Sequence, residues 1–357
     1  MAPIGVAVVG LGVIGKTHVK VLKELERETG LIKLVAVVDQ VSAVAEDVAK
    51  QAGTLAYNTI DAVLRNPDVS LLTLATPSYM HAPQALLAME YGKDVITEKP
   101  MATTLAGAKE MISKARKLGR RLGVVFQERY TPDLKFLKSE IGRGVLGKVF
   151  LIQAELNWYR DEREYYNKDE LARSWRGMWN TEGGGVLTNQ GIHTVDLLQW
   201  LGGNVEEVSG FIANLDHPSV TVEDTAVAAM RYASGALGTL SQTVNVRPKR
   251  FQSRRLRVFG TMGQAEVQDN QLVAFRTEEG SEVKAGGEAK PKADTITQAG
   301  NLHKELFRDY LKEYSEGREF PVNGEEGYKA LEIIKAIYLS SSTRTVQRLP
   351  LKVDVMI

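Results

Sequence analysis

The stretch A-V-V-G-L-G-V-I-G-K, starting at Ala7, sets Gly10, Gly12 and Gly15 directly behind an apolar run, Ile4–Val9. Val19, Leu22 and Leu25 follow at helical spacing. An apolar strand that runs into three glycines and emerges as a helix is a tight strand-to-helix turn. Such a turn commits the start of the chain to a parallel, helix-covered sheet.

The rest of the first third keeps that grammar. Apolar runs at Leu34–Val38, Leu71–Ala75, Val95–Thr97 and Gly123–Phe126 read as buried parallel strands, with Leu55–Tyr57 as a short edge strand. Helical patterns lie between them; Thr104–Leu118 repeats Leu105, Ala108, Met111, Ile112 and Ala115, and Gly119 is its C-cap. The later chain differs. Strand-like segments follow one another at Lys148–Asn157, Val205–Asn214, Thr225–Tyr232, Ala236–Val246, Arg255–Gly260 and Gln264–Gln268, joined by turn sequences such as Y-A-S-G-A-L-G. Polar Glu278–Thr297 reads as a surface loop, and helices return at Leu302–Ser315 and Glu326–Ser341. The expected fold is an α/β Rossmann domain over residues 1–122, then an α+β domain with an open, mostly antiparallel sheet over 123–357.

Composition narrows the function classes. The formal net charge of +1 gives no overall field toward nucleic acid or an anionic membrane. No run is long enough to span a bilayer, and Ile4 already opens a strand pattern, which leaves no place for a signal peptide. The absence of cysteine removes disulfides, thiolate catalysis and Cys-based metal sites, and the 5 histidines show no H-E-x-x-H spacing. These features point to a cytoplasmic protein without a metal.

In this setting the glycines have a ligand chemistry. Gly10 permits the turn, Gly12 lets backbone approach a pyrophosphate, and Gly15 lets the helix pack on the sheet, while helix N–H groups receive the negative charge. Asp39 ends the second strand 24 residues past Gly15, where a carboxylate accepts an adenosine 2′-hydroxyl and repels a 2′-phosphate. The pattern predicts an NAD site with NADP disfavoured.

Four ordered motifs extend the reading: A-T-P-S-Y-M-H-A-P-Q from Ala75, T-E-K-P-M-A-T-T from Thr97, Q-E-R-Y at Gln127–Tyr130, and G-G-G-V-L-T-N-Q-G-I-H from Gly183. With the glycine turn they resemble the glucose-fructose oxidoreductase, inositol dehydrogenase and MocA family over nearly the whole chain. The resemblance implies a nicotinamide-dependent enzyme acting on a secondary hydroxyl of a sugar or cyclitol. It assigns cofactor contacts to Gly10, Gly12, Val13, Ile14, Gly15, Asp39, Thr76, Pro77, His81, Glu98, Lys99, Gln127, Trp175 and Arg176. It assigns proton transfer to Lys99 and His193, and it implies a homodimer or homotetramer assembled through the open sheet.

The chemistry explains the pair. Hydride loss from a carbinol carbon requires loss of the hydroxyl proton, served best by a group whose pKa lies near working pH. A lysine of ordinary pKa is protonated; it stabilises a developing alkoxide, and desolvation brings it into exchange with a neighbouring histidine. A helix over 185–201 would set Asn189, His193 and Asp196 on one face, with Asp196 able to hold the imidazole. Many members of the family carry aspartate where this chain has Asn189, an amide that can bond a sugar hydroxyl but cannot take its proton. The N-Q-x-I-H variant resembles branches that act on nucleotide sugars or at carbon 3 of pyranosides. Residues 157–180 concentrate 3 Trp, 3 Tyr and 5 Arg or Lys, side chains suited to sugar faces and to carboxylate or phosphate. Arg160, Arg163 and Tyr166 there, with Arg129, Tyr130 and Asn189, are the substrate candidates. Three readings remain beside an NAD-dependent sugar dehydrogenase: an inositol dehydrogenase, a glycosidase that uses bound NAD transiently, and a non-catalytic NAD-sensing regulator.

Overall fold

In a computed structural model, residues 3–278, 280, 282–284 and 295–352 are described. Six parallel strands form the first sheet: β1 (Ile4–Val9), β2 (Ile32–Val38), β3 (Leu55–Tyr57), β4 (Leu71–Leu74), β5 (Asp94–Thr97) and β6 (Leu122–Val124). Their order is β3-β2-β1-β4-β5-β6, so the strand order reverses between β1 and β4. That reversal opens a crevice at the carboxyl ends of the strands, the usual ligand position in such sheets. β1, β2, β4 and β5 are buried almost throughout, as helices on both faces require.

Local chemistry sets the helix ends. Helix α1 (Val13–Thr29) stops at Gly30, whose φ of 64° is left-handed. The expected helix at Leu105–Leu118 is present; the Thr104 hydroxyl caps its start by accepting the Gly107 N–H, and Gly119 at φ 59° ends it. The first compact unit is not a simple N-terminal piece. By contact it runs through Gln127 and takes in the later stretch Lys292–Tyr328, beside the expected linear division at 122/123. The returning helix, Thr295–Ser315, packs on α1. Lys304 pairs there with Glu24 and Glu28, Leu306 and Phe307 are buried, and the Tyr310 hydroxyl donates to the Val124 carbonyl at 2.7 Å. This helix begins inside the segment expected as a loop, and β14 (Glu282–Lys284) also lies there; the remainder of Glu278–Thr297 is outside the described residues apart from 278 and 280.

The second unit starts at Glu128 and resumes at Lys329. Its strands are β7 (Val149–Asn157), β8 (Val205–Ala213), β9 (Thr225–Tyr232), β10 (Leu237–Thr243), β11 (Ser253–Gly260), β12 (Gly263–Gln268), β13 (Gln271–Thr277), β14 and β15 (Gln347–Arg348). They form one nine-stranded sheet in the order β14-β13-β12-β11-β7-β10-β9-β8-β15. Only β7 and β10 run parallel; every other pair is antiparallel. Along β7 the residues Ile152, Ala154 and Leu156 are buried while their neighbours are partly exposed, the alternation of a sheet with one covered face. The covering helix is Ile192–Gly202; a Cβ at Gly202 would strike Tyr232 and Ile152, so this glycine allows the close approach.

Candidate functional site

In the first unit the glycine turn has the shape expected of it. Gly10 sits at φ 89°, and Gly15 approaches so closely that a Cβ on it would lie 1.7 Å from the Gly10 carbonyl oxygen. A Cβ on Gly12 would meet nothing within 4 Å, so the space over the turn is open. Gly12 caps α1 without any side-chain hydrogen bond, and Val13 and Ile14 in the first turn are exposed apolar residues. The helix N-terminus thus presents donor N–H groups to a clear surface, which fits a pyrophosphate. Asp39 stands beside it: one carboxylate oxygen accepts the Leu11 N–H at 2.9 Å and the other the Val41 N–H at 2.9 Å. These bonds lock the carboxylate to the turn and leave lone pairs for ribose hydroxyls.

Around Lys99 two residues of the expected cofactor set make bonds within the protein. Glu98 is buried, with one carboxylate oxygen accepting from His18 Nε2 at 3.1 Å and from His303 Nε2 at 3.3 Å. Its other oxygen accepts the Lys99 backbone N–H at 3.2 Å. Burial pushes the Glu98 carboxyl up, but the two imidazole bonds overcome it and hold it well below the usual carboxylate range. His18 is pulled down by burial, and its Nδ1 lies 3.0 Å from the Thr73 hydroxyl. The consistent assignment is a neutral ring that donates to Glu98 and accepts from Thr73. Glu98 therefore braces the Lys99 backbone from within the protein.

His81 is likewise internal. Its Nδ1 lies 2.7 Å from the Pro100 carbonyl and its Nε2 2.8 Å from the Thr76 carbonyl, tying the loop after β4 to the loop after β5. Burial is the leading influence on its pKa and lowers it. Thr76 donates its hydroxyl to Gln84 at 2.7 Å, Pro77 caps the helix Ser78–Glu90, and Lys99 and Gln127 are half-buried. Sequence spacing gives no hint of the His18–Glu98–His303 cluster, although these three ligand-type side chains place one atom each within 4.8 Å of the others. Each already has a hydrogen-bond partner in the cluster.

In the second unit the expected helix over 185–201 is shorter. It starts at Ile192, and residues 183–191 form a wound loop. Gly183 and Gly184 have φ of 80° and 149°, and a Cβ on Gly185 would lie 1.8 Å from the Glu223 carbonyl oxygen, too close for a helix with side chains. The buried Glu223 carboxyl holds this loop, accepting from Gly185 N at 2.8 Å, Leu187 N at 3.0 Å and the Tyr338 hydroxyl at 2.8 Å. Here burial prevails and the Glu223 pKa is raised. Asn189 and His193 therefore do not share a helix face. The Asn189 amide donates to the buried Glu182 carboxylate and, at 2.9 Å, to the Tyr165 hydroxyl.

The other candidates have the following surroundings. The two Asp196 oxygens take Arg129 Nε at 2.9 Å and Nη2 at 2.6 Å in a buried bidentate pair. This pair fixes the Arg129 guanidinium within the second unit. Tyr166 is a core residue, packed with Val220 and Val222. Tyr130 is buried under the Lys135 ammonium, Arg163 is exposed, and His193, at the start of its helix, is buried. Trp175 and Arg176 end the short helix Glu170–Trp175, with the Arg176 guanidinium 4.3 Å from the Tyr165 ring centre and 5.0 Å from that of Trp175.

Residues 4–126 match the family description "Oxidoreductase family, NAD-binding Rossmann fold", and residues 138–351 match "Oxidoreductase family, C-terminal alpha/beta domain" of the same family. The chain belongs to the Gfo/Idh/MocA oxidoreductase family. Its first unit is an NAD-binding Rossmann domain. Among solved structures, the WlbA dehydrogenase from Bordetella pertussis, in complex with NADH and UDP-GlcNAcA, is 28% identical with a TM-score of 0.84, covering 98% of this chain and 99% of that one. Levoglucosan dehydrogenase of Pseudarthrobacter phenanthrenivorans is 25% identical over 319 residues, 78% of this chain and 80% of its own length. An uncharacterized oxidoreductase of Synechocystis is 29% identical over 242 residues, a match that spans only 62% of that protein and 64% of this chain. Among the described residues no helix is long and apolar enough to cross a membrane.

Proposed function

We propose that this oxidoreductase moves a hydride between NAD and a secondary hydroxyl or ketone of a sugar, glycoside or nucleotide sugar. The observation that carries the reading is Lys99 at the carboxyl end of β5, its backbone fixed by Glu98, in a domain whose glycine turn is open for a dinucleotide. Bound NAD supplies the hydride acceptor. Gly10, Gly12, Val13, Ile14, Gly15 and Asp39 hold it, with the Asp39 carboxylate selecting against a 2′-phosphate. Lys99 stabilises the developing alkoxide and shares its proton with His193. Asn189 positions a substrate hydroxyl without titrating. The relation to a dehydrogenase solved with a nucleotide sugar acid favours nucleotide sugars within this class.

A panel of pyranosides, inositols and UDP-sugars tests the reading by NADH formation, with mass spectrometry of the product. Oxidised product from a sugar or nucleotide sugar supports it, and a response confined to inositols redirects it to the inositol branch. Glycoside cleavage with NAD retained and no net NADH supports the glycosidase alternative, and NAD binding without turnover the regulator.

Self-association through the uncovered sheet face belongs to the same proposal. Phe211, Val227 and Ser241 lie in cross-strand register there, and Phe211, Val227 and Leu237 are exposed. Uncharged and exposed apolar side chains of this kind, with the small Thr239, Ser241 and Thr243 of β10, suit a sheet-to-sheet contact between copies. Light scattering at micromolar concentration is expected to give a dimer or tetramer; a monomer throughout contradicts it.

A further inference from the structure

The loop that carries Asn189 is tied to a second buried carboxylate, Glu182, the last residue of the short helix Trp179–Glu182. Its Oε2 accepts the Gly177 N–H at 2.5 Å and its Oε1 accepts from Asn189 Nδ2. Glu182 acts as the acceptor in both contacts, as a carboxylate does, so the Asn189 amide must turn its nitrogen this way. The reversed amide would set oxygen against oxygen. The same Nδ2 also donates to the Tyr165 hydroxyl oxygen at 2.9 Å. That oxygen accepts from Gln190 Nε2 at 2.9 Å as well, and the Gln190 amide is fixed in turn because its Oε1 accepts from Arg160 Nη2 at 3.1 Å. Both amides are thus oriented by charged ends, a guanidinium that only donates and a carboxylate that only accepts. Both hydrogens of the Asn189 amide are used inside this network. What Asn189 offers a further partner is the accepting side of its amide.

We propose that Glu182 is a positioning residue for this oxidoreductase: it turns the Asn189 amide so that the amide oxygen accepts the proton of a substrate hydroxyl, and it requires an amide rather than a carboxylate at position 189. This rests on the oxidoreductase reading above and adds the polarity of the contact, a hydroxyl that donates. An aspartate at 189 would press a second carboxylate against Glu182, and two buried carboxylates in contact share one proton instead of ionising together. Glu223 acts on the same two phenols as Glu182, those of Tyr166 and Tyr338, so a further anion would fall where two carboxyls already lie. The cations nearby are Lys335, whose Nζ donates to the Gly183 carbonyl at 2.9 Å, and Arg160 and Arg176 against the Tyr165 ring. They are common to every variant below, so the comparison reads positions 182 and 189 alone.

The test is a swap in the full-length protein: Glu182→Gln, Asn189→Asp, and the two together. Glutamine keeps one of the two accepting oxygens, so its NH2 meets either the Gly177 N–H or the Asn189 amide, donor against donor. Turning Asn189 over relieves this and presents nitrogen to the substrate. KM is read with NAD on whichever of methyl β-D-glucoside, myo-inositol and UDP-glucose the wild-type protein oxidises fastest. Glu182→Gln is expected to raise it ~10-fold, the scale of one hydrogen bond, with kcat and NADH affinity near wild type. In the double variant the new NH2 donates to the new carboxylate, the acceptor returns, and KM should move back toward wild type. Guanidinium unfolding supplies the second readout. The midpoint loss of Asn189→Asp relative to wild type should grow from pH 5 to pH 8, because the shared proton raises one folded-state pKa and its stabilisation is lost as pH rises through it. The double variant should be the more stable of the two at pH 8. An unmoved KM in Glu182→Gln, or a double variant no more stable than Asn189→Asp at pH 8, overturns the proposal. Loss of NADH affinity in Glu182→Gln places its effect at the cofactor and also overturns it. If neither single variant folds, a folded double variant supports the proposal and an unfolded one defeats it. Absence of turnover on all three probes in the wild-type protein instead removes the oxidoreductase reading, and the unfolding cycle then decides the role of Glu182 by itself.

Discussion

Glu98 and Glu223 are both buried glutamates that brace a loop carrying candidate catalytic residues, yet their carboxyls shift in opposite directions. Glu98 meets two imidazole nitrogens and one backbone N–H, and stays charged. Glu223 meets two backbone N–H groups and a phenol, and is pushed toward its neutral form. Burial penalises both anions; the direction is decided by whether the donors are strong enough to offset it. The same residue type therefore serves as a fixed charge behind Lys99 and as a clasp of raised pKa on the loop that leads to Asn189 and His193.

The largest expected effects lie at the residues these clasps support. Lys99→Ala and His193→Ala should each lower turnover by ~10²–10⁴-fold, the usual cost of losing a general acid or base. The double variant should fall short of the product of the two effects, because the proposed mechanism gives both one proton transfer. The measurement is kcat and KM for the three proteins; near-normal kcat in His193→Ala would leave it a structural histidine. Asn189→Ala, in contrast, should act mainly on KM.

Replacing the carboxyls sharpens the comparison. Hydrogen bonds to a charged group contribute about 1.5–3 kcal/mol and neutral ones about 0.5–1.5. Glu98→Gln should therefore cost roughly twice as much stability as Glu223→Gln in guanidinium unfolding. Equal losses would mean that the two carboxyls carry similar charge.

The smallest effects are those of pH, and they have opposite signs. His18 has a folded pKa below its ordinary 6.5, so the unfolded chain binds its proton first on acidification. Stability from this group is complete above 6.5 and is lost as pH falls, by up to about 1.4 kcal/mol per pH unit. Glu98, depressed from 4.5, adds a further loss as pH falls below that value. Glu223 is raised from 4.5, so its contribution is largest in acid and declines as pH rises through its folded pKa. Hydrogen exchange, corrected for intrinsic rates, should show Lys99 amide protection rising with pH while that of Gly185 and Leu187 falls. Parallel trends at both loops would break the contrast, and His18→Asn should flatten the slope at Lys99 between pH 5 and 7.

Legibility in the sequence follows how local the cause is. The glycine turn, Asp39, the capped helix Leu105–Leu118 and most strands are set by residues adjacent in the chain. The helix assumed over 185–201 failed because its glycines serve contacts with Glu223 and Gln242, partners far along the chain. Arg129 and Tyr166 are substrate candidates by type, and the sequence does not show that Asp196 pairs with the first or that Val220 and Val222 pack on the second.

By itself the sequence determined the strand-to-helix turn, the parallel first sheet and the change to antiparallel grammar, because turn conformation and side-chain period act over a few residues. Only the tertiary structure decided which polar side chains are buried against partners distant in the chain. Glu98 meets His18 across 80 positions and His303 across 205. Charge state and orientation depend on burial and on such distant donors, and neither is written in the spacing of the residues.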